Sequence, residues 1–304
     1  GNTCYINSAI QALSHTLGLT HFFLSDDFKK HININDKNNT AIEFTTQWVR
    51  LLRGLWEDNC TVSPKSFFKI LVKISDEKNI DLNMSFNIQN DIQEFIMLVL
   101  NLFHDAFKTD LQEKKNKKIF EKEWYTFFKN DHSVIVDLFY GQVMTKLKNI
   151  DNDKIVSTSY QPVCFFALPV ALNGCSIYDC IDLYLKDELI SLNIDNEETT
   201  VRKSITVTKF PNILIITLNR FDSSNNKINS YVDIPEVLDM SRYSKKTIEY
   251  DLYSICNHTG SCNSGHYTSY CKNDTIWYEF NDNTVIKIKE LNKNNAYCLF
   301  YKKR

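Results

Sequence analysis

Residues 264–282 read SGHYTSYCKNDTIWYEFND, and residues 1–13 read GNTCYINSAIQAL. The later stretch has the form of a hairpin. An aromatic run, YTSY, follows Gly265 and His266, a polar turn covers Lys272 to Thr275, and a second run, IWYEF, leads into Asn281 and Asp282. Antiparallel pairing sets His266, at the start of one strand, near Asn281, just past the end of its partner. In the opening stretch Asn2 and Thr3 are helix-capping types, and Ile6, Ile10 and Leu13 recur at helical spacing, so Cys4 is expected in the first turn of an amphipathic helix. A helix N-terminus favours negative charge, and a thiol attacks only as thiolate, with a base beside it. Alone, Cys4 reads as a small apolar residue packed under a helix. A cysteine, a histidine and an orienting polar side chain together are the parts of a cysteine peptidase.

Composition is compatible with that chemistry without pointing to it. The chain has 304 residues, of which 43% are hydrophobic and 24% charged, as in an ordinary globular protein with a large core. This length is near the limit for one compact unit, so subdomains are expected. A net charge of -2 argues against nucleic-acid binding as the main activity. No stretch approaches the roughly 18 apolar residues of a membrane span. The opening residues do not read as a secretory leader, and the expectation is an intracellular protein, cytoplasmic or nuclear, with no membrane partner. The nine cysteines are Cys4, Cys60, Cys164, Cys175, Cys180, Cys256, Cys262, Cys271 and Cys298, an odd number without a paired framework, so no disulfide scaffold is expected. The basic run at Lys114, Lys115, Lys117 and Lys118 reads as a solvated loop or helix end, with a nuclear signal as the alternative.

Along the chain the first part is helical. Phe44, Trp48, Leu51, Leu52 and Leu55 form one apolar stripe, Ser63 and Pro64 mark a capped helix start, and Ile92, Phe95, Ile96, Val99 and Phe103 form another stripe on a helix beginning near Asp91. After about Trp124 the texture changes. SVIVDLFY, VCFFALPV, SITVTKF and NILIITL, separated by polar turns, predict strands. HININDKNNT and DSSNNKINS read as exposed loops, and no internal repeat is present.

GNTCYINSAIQAL resembles the cysteine box, and YDLYSICNHTGSCNSGHYTSYCKNDTIWYEFNDNTV the histidine box, of the ubiquitin-specific proteases. QNDIQEF, LFYGQ, ILIITLNRF, VDIPEVLDMSRY and the closing AYCLFY resemble the intervening signatures, in the family's order, over nearly the whole chain. The resemblance implies an α+β, papain-like cysteine protease fold in a single catalytic domain over residues 1–304. A helical thumb would occupy about 1–128, and a β-rich palm carrying inserted β fingers about 129–304. It implies a deubiquitinase that acts on ubiquitin or ubiquitin conjugates as a monomer and needs no cofactor. Cys4 would be the nucleophile and His266 the base and then the acid. Asn281 would be the residue that orients the imidazole, with Asp282 competing for that place or supporting the site from behind.

The resemblance assigns the binding of ubiquitin's basic tail to Asp91 and Glu94, with Gln89 in the same motif. Three residues apart on one helix, the two acids share a face and could pair with arginines; the alternative is that they are helix N-terminal acids favoured by the dipole. His258 and Gly260 match a segment that closes over the paired glycines of the tail. Gly265, which allows close backbone approach, and Tyr267, next to the catalytic histidine, are expected to bind substrate as well.

This chain departs from the family in two places. Many members bind zinc in the fingers through two CxxC pairs, but the stretches around Lys148 to Asp153 and Asn193 to Asn196 hold no cysteine or histidine, so no metal is expected. Cys175 and Cys180 read as two ordinary residues beside a helix start. The chain also begins inside the cysteine box, without the asparagine that members place five residues before the nucleophile as oxyanion donor, and further residues are expected upstream. Two alternatives remain: a catalytically silent ubiquitin-binding scaffold, and a protease for another ubiquitin-like modifier. Loops including the asparagine-rich stretch after Arg220 and Phe221 are expected to move when ubiquitin binds.

Overall fold

The computed structural model describes residues 2–32, 39–57, 61–80, 91–111, 118–194, 196–262 and 264–304. Among these residues seven α-helices come first: α1 (Cys4–Ser14), α2 (Leu17–Leu24), α3 (Asn39–Glu57), α4 (Lys65–Lys78), α5 (Ile92–Phe107), α6 (Ile119–Phe128) and α7 (Val134–Phe139). There follow β1 (Gly141–Asn149), β2 (Ile155–Val163), β3 (Phe165–Pro169), β4 (Cys175–Ser176), α8 (Ile177–Leu185), β5 (Glu188–Ile194), β6 (Glu197–Lys209) and β7 (Ile213–Asn219). The chain ends with β8 (Val232–Asp233), β9 (Val237–Asp239), β10 (Glu249–Gly260), β11 (Gly265–Asn273), β12 (Ile276–Asn281), β13 (Thr284–Ile288) and β14 (Ala296–Lys303).

Helix α1 is central. Ile6, Ala9, Ala12 and Leu13 are fully buried, and Tyr5 and Ile10 nearly so, because the helix has α5 on one side and β11 on another. Its small residues, Ala9 and Ala12, let neighbours approach closely, and a helix apolar on several faces must be enclosed. The expected stripes are core residues: Phe44, Trp48 and Phe103 meet ring to ring, and Phe95, Ile96 and Val99 are buried on α5. The α4 start lacks the expected side-chain cap, because Pro64 itself holds the N-cap position and makes no side-chain bond.

One expected strand is a helix. In SVIVDLFY the Ser133 Oγ accepts the Val136 N–H at 3.4 Å and caps α7, while Ile135, Val136 and Phe139 are buried on a face packed against α5. The cap and the tertiary contact override the β preference of a branched run. The helical part therefore runs to Phe139, past the expected boundary at 128.

Seven strands form the main sheet in the order β13-β12-β11-β10-β14-β7-β3, antiparallel except for β3 against β7, with β9 added beside β10. A separate four-stranded sheet, β2-β1-β6-β5, projects as two long hairpins. At its tip Asn149 Oδ1 accepts the Asp151 N–H at 2.8 Å, and Lys148 pairs with Asp153 at 3.0 Å, closing the turn between β1 and β2. Lys118 is the N-cap of α6; Lys114, Lys115 and Lys117 lie outside the described residues.

Candidate active site

Cys4 opens α1, only 7% exposed. Thr3 is the N-cap but makes no side-chain bond to the helix, so the expected threonine cap is absent; its carbonyl instead accepts the Asn7 N–H at 2.9 Å and begins the helical ladder. The helix rests on β11, whose second residue is His266. The two stretches that suggested a peptidase, far apart in the chain, therefore meet as packed neighbours.

His266 Nε2 lies 2.7 Å from Asn281 Oδ1. Asn281 is the last residue of β12, paired with Thr284, and not just beyond the strand as expected. An amide oxygen only accepts, so Nε2 carries the proton and Nδ1 is left as the basic nitrogen. Asp282 turns elsewhere. It sits in the left-handed region with φ 50°, and its Oδ1 accepts from Asn7 Nδ2 at 2.7 Å. Of the two candidates for the imidazole's partner, Asn281 holds the histidine and Asp282 holds the helix of Cys4. Sequence reasoning missed Asn7, although it stands one helical turn from Cys4 on the same face. Thr3, Asn7, Gln11, Leu55, Val62 and Asp282 line part of a groove of about 560 Å³ beside the start of α1.

The expected tail-binding acids are placed differently from one another. Asp91 precedes α5 as its N-cap; Oδ1 accepts the Gln93 N–H at 2.6 Å and Oδ2 accepts the Tyr297 hydroxyl. Each of its oxygens thus accepts from one protein donor, and a carboxylate has acceptor sites beyond these two. Glu94, in the first helical turn, is exposed. Gln89 lies outside the described residues.

His258 and Tyr267 are wall residues and do not present free faces. His258 lies in β10 and not in a loop, 2% exposed, with its ring 4.7 Å from Tyr267 and 5.8 Å from both Phe221 and Tyr297. Burial first, and then the Lys227 charge, bring its pKa down to about 4, so the ring is neutral. Tyr267 is 4% exposed. Its phenol is held protonated mainly by burial, with the Asp91 carboxylate and, more weakly, the Cys4 thiol adding to the effect. Tyr297 is likewise held protonated by burial and by Asp91. Gly265 does need close approach, but to its own sheet: a Cβ there would fall 2.3 Å from His258 Nε2 and 2.7 Å from the Thr259 carbonyl oxygen.

The segment after Arg220 is an ordered turn. Asp222 Oδ1 accepts the N–H groups of Ser224 and Asn226 at 2.8 and 2.9 Å, and Lys227 Nζ donates to the His258 carbonyl at 2.6 Å. Arg220 is 1% exposed and donates to the carbonyls of Ala296, Ile228 and Ser230. Nothing in its local sequence announces a buried arginine.

Residues 1–301 match the family described as "Ubiquitin carboxyl-terminal hydrolase". The chain belongs to that family. Its relatives include ubiquitin carboxyl-terminal hydrolase Usp2 of Drosophila melanogaster, 31% identical with 100% of this chain and 34% of that protein covered. Ubiquitin carboxyl-terminal hydrolase 2 of Homo sapiens is 28% identical, with 99% of this chain and 54% of that protein covered. The chain thus spans about a third to a half of the length of these hydrolases. A chain of the SAGA Ubp8/Sgf11/Sus1/Sgf73 DUB module bound to ubiquitin aldehyde superposes with a TM-score of 0.76 at 22% identity, covering 100% of this chain and 68% of the other. That likeness bears out the expected α+β, papain-like hydrolase fold.

Proposed function

We propose that this chain is a thiol-dependent deubiquitinase that hydrolyses the bond after the C-terminal glycine of ubiquitin. The observation that carries the reading is the His266–Asn281 pair, set at 2.7 Å on a strand packed against the helix that begins at Cys4. Family membership supplies the substrate class, and the relatives carry ubiquitin in their names.

Asn281 holds the imidazole in the tautomer that leaves Nδ1 free to take the Cys4 proton. The thiolate, at a helix N-terminus that favours negative charge, attacks the glycine carbonyl. The tetrahedral intermediate collapses as His266 returns the proton to the leaving amine, a transfer worth about 100 to 10,000-fold in rate. Water, deprotonated by the same imidazole, then hydrolyses the thioester and frees ubiquitin. Glu94, exposed at the start of α5, is the acid available to a basic tail, while Asp91 orients that helix end by binding Gln93 and Tyr297. Nucleophile, base and orienting amide all come from one chain, so no second copy is needed to complete the site.

Reaction with ubiquitin carrying an electrophile at its C-terminus tests this, with intact mass as the readout. One adduct that disappears in Cys4→Ala is expected. An adduct with another ubiquitin-like modifier in place of ubiquitin would reassign the substrate. Ubiquitin binding without any adduct would make the chain a silent scaffold.

A further inference from the structure

Away from the active site, the start of α8 brings two thiols together. Ser176 is the N-cap: its Oγ accepts the Asp179 N–H at 3.2 Å, and Asp179 Oδ2 accepts the Ser176 N–H at 2.8 Å. This capping box puts Cys175 immediately before the cap and Cys180 at the fourth helical position, the two places whose side chains pack together as a staple over a helix start. In most proteins the staple is a pair of hydrocarbons. Here it is two sulfurs, with Cys175 Sγ 3.4 Å from Cys180 Sγ.

Three features separate this pair from an inert packing contact. The Cys175 backbone is held, its N–H donating to the Tyr231 carbonyl at 3.1 Å and its strand pairing with Val232, so the sulfurs stay in contact. Cys175 is half-buried and reachable, whereas Cys180 is 1% exposed. The guanidinium of Arg220 is within electrostatic reach of both sulfurs, and its Nη2 has no hydrogen-bond partner among the described residues. At Cys180 this buried positive charge works against the effect of burial on the thiol. Burial raises the Cys180 thiol to about 12 in spite of Arg220, which makes the more accessible Cys175 the point of entry.

We propose that Cys175 and Cys180 form a reversible disulfide, making the start of α8 a redox-modification site separate from the Cys4 centre. The oxidant is a small-molecule disulfide such as oxidised glutathione. The Cys175 thiolate attacks one of its sulfurs, forming a mixed disulfide and releasing one glutathione thiolate. The Cys180 thiolate then attacks the Cys175 sulfur and releases the second. The protein loses two electrons and two protons, and one glutathione disulfide becomes two glutathione molecules. The sulfurs need only close from van der Waals contact to a bond of about 2 Å, with the cap and the β4–β8 pairing left in place.

The test is oxidation of the whole chain with oxidised glutathione, alkylation of the remaining thiols, and mapping of the tryptic peptide 155–186, which holds Cys164, Cys175 and Cys180. The expected peptide has lost two hydrogens, roughly 2 Da, and carries one alkyl group, on Cys164. Dithiothreitol restores three alkylation sites, Cys164→Ser keeps the mass loss, and Cys175→Ser and Cys180→Ala each abolish it. Because fragment ions from the unsubstituted chain locate the bond directly, the result does not depend on a variant that folds poorly. Full alkylation of all three thiols after oxidation, a bond to Cys164, or a glutathione adduct that persists on Cys175 without closing would each overturn the proposal.

Discussion

Replacing Gly265 with alanine should damage catalysis through the sheet and not through the substrate. The new Cβ would lie 2.3 Å from His258 Nε2, 2.9 Å from His258 Cε1 and 2.7 Å from the Thr259 carbonyl oxygen. Real contacts of that kind do not close below about 3 Å, so something must move. The imidazole has little room, since Tyr267, Phe221 and Tyr297 surround it. The Thr259 oxygen belongs to β10, which pairs Gly260 with Gly265 and Thr259 with His266. The element that yields is therefore the first residue of β11, and it carries His266 along. Overpacking of this kind costs about 1–3 kcal/mol, and a displacement near 1 Å of a positioned group costs on the order of 100-fold in rate. Gly265→Ala should thus lower kcat on a fluorogenic ubiquitin substrate by about 10 to 100-fold, with a fall in Tm of a few degrees. Adding His258→Ala removes the ring contact but not the carbonyl contact, so it should recover part of the Tm and little of the kcat. Wild-type kcat in Gly265→Ala would refute the reasoning, because it would mean that β11 accommodates the methyl without moving His266.

Asn281→Ala should lower kcat by roughly 100-fold with KM little changed, and Asn281→Asp should recover much of it, since a carboxylate also accepts from Nε2; equal loss in both variants, measured by steady-state kinetics, would remove Asn281 from the tautomer argument. Asn7→Ala and Asp282→Ala should each cost about 1 kcal/mol and be non-additive in a double-mutant cycle read by urea unfolding; strict additivity would show that their bond contributes nothing. His15 and His258 both have pKa values lowered to about 4, chiefly by burial, so the unfolded chain binds more protons than the folded one between pH 6.5 and 4. Stability from these two groups is complete above pH 6.5 and falls as pH drops to 4, by up to about 3 kcal/mol each. The carboxylates whose pKa values are lowered, such as Asp179 and Asp222, titrate below that window. Urea unfolding at pH 4 to 7 should therefore show a slope that lessens in His258→Asn, and an unchanged slope in that variant would exclude His258 as its source.

Periodicity and turn chemistry made much of the architecture legible, because local patterns on α1, α3, α5, β6, β7 and the β11–β12 hairpin agree with their tertiary environment. SVIVDLFY misled because β-branching is local, whereas its fate is decided by burial of Ile135, Val136 and Phe139 against α5; their spacing and the serine in front were the signals of a helix. The structural partners of Asp91, His258 and Tyr267 were illegible for a different reason. Each is occupied by a partner remote in the chain, Tyr297 for Asp91 and a shared aromatic cluster for the other two, and no local pattern encodes such a partner. The same limit hid Arg220, whose acceptors are carbonyls from two other segments.

The turn between β12 and β13 explains why an asparagine and an aspartate stand side by side at this site. The proposed nucleophile on a helix and the proposed base on a strand are useful only if the two elements keep their relative setting, and helix–sheet packing through apolar side chains is non-directional. Asn281 closes the last pair of β12 and is bonded to His266; Asp282, rotated into the left-handed region, is bonded to Asn7 on α1. One two-residue step thus ties the strand of His266 to the helix of Cys4 by two directional bonds of 2.7 Å. The two side chains are not interchangeable claimants to one catalytic place. Asn281 sets the imidazole's tautomer, and Asp282 sets where α1 lies relative to that imidazole. Loss of the first should appear in the chemical step, and loss of the second in stability and in the geometry that Cys4 presents.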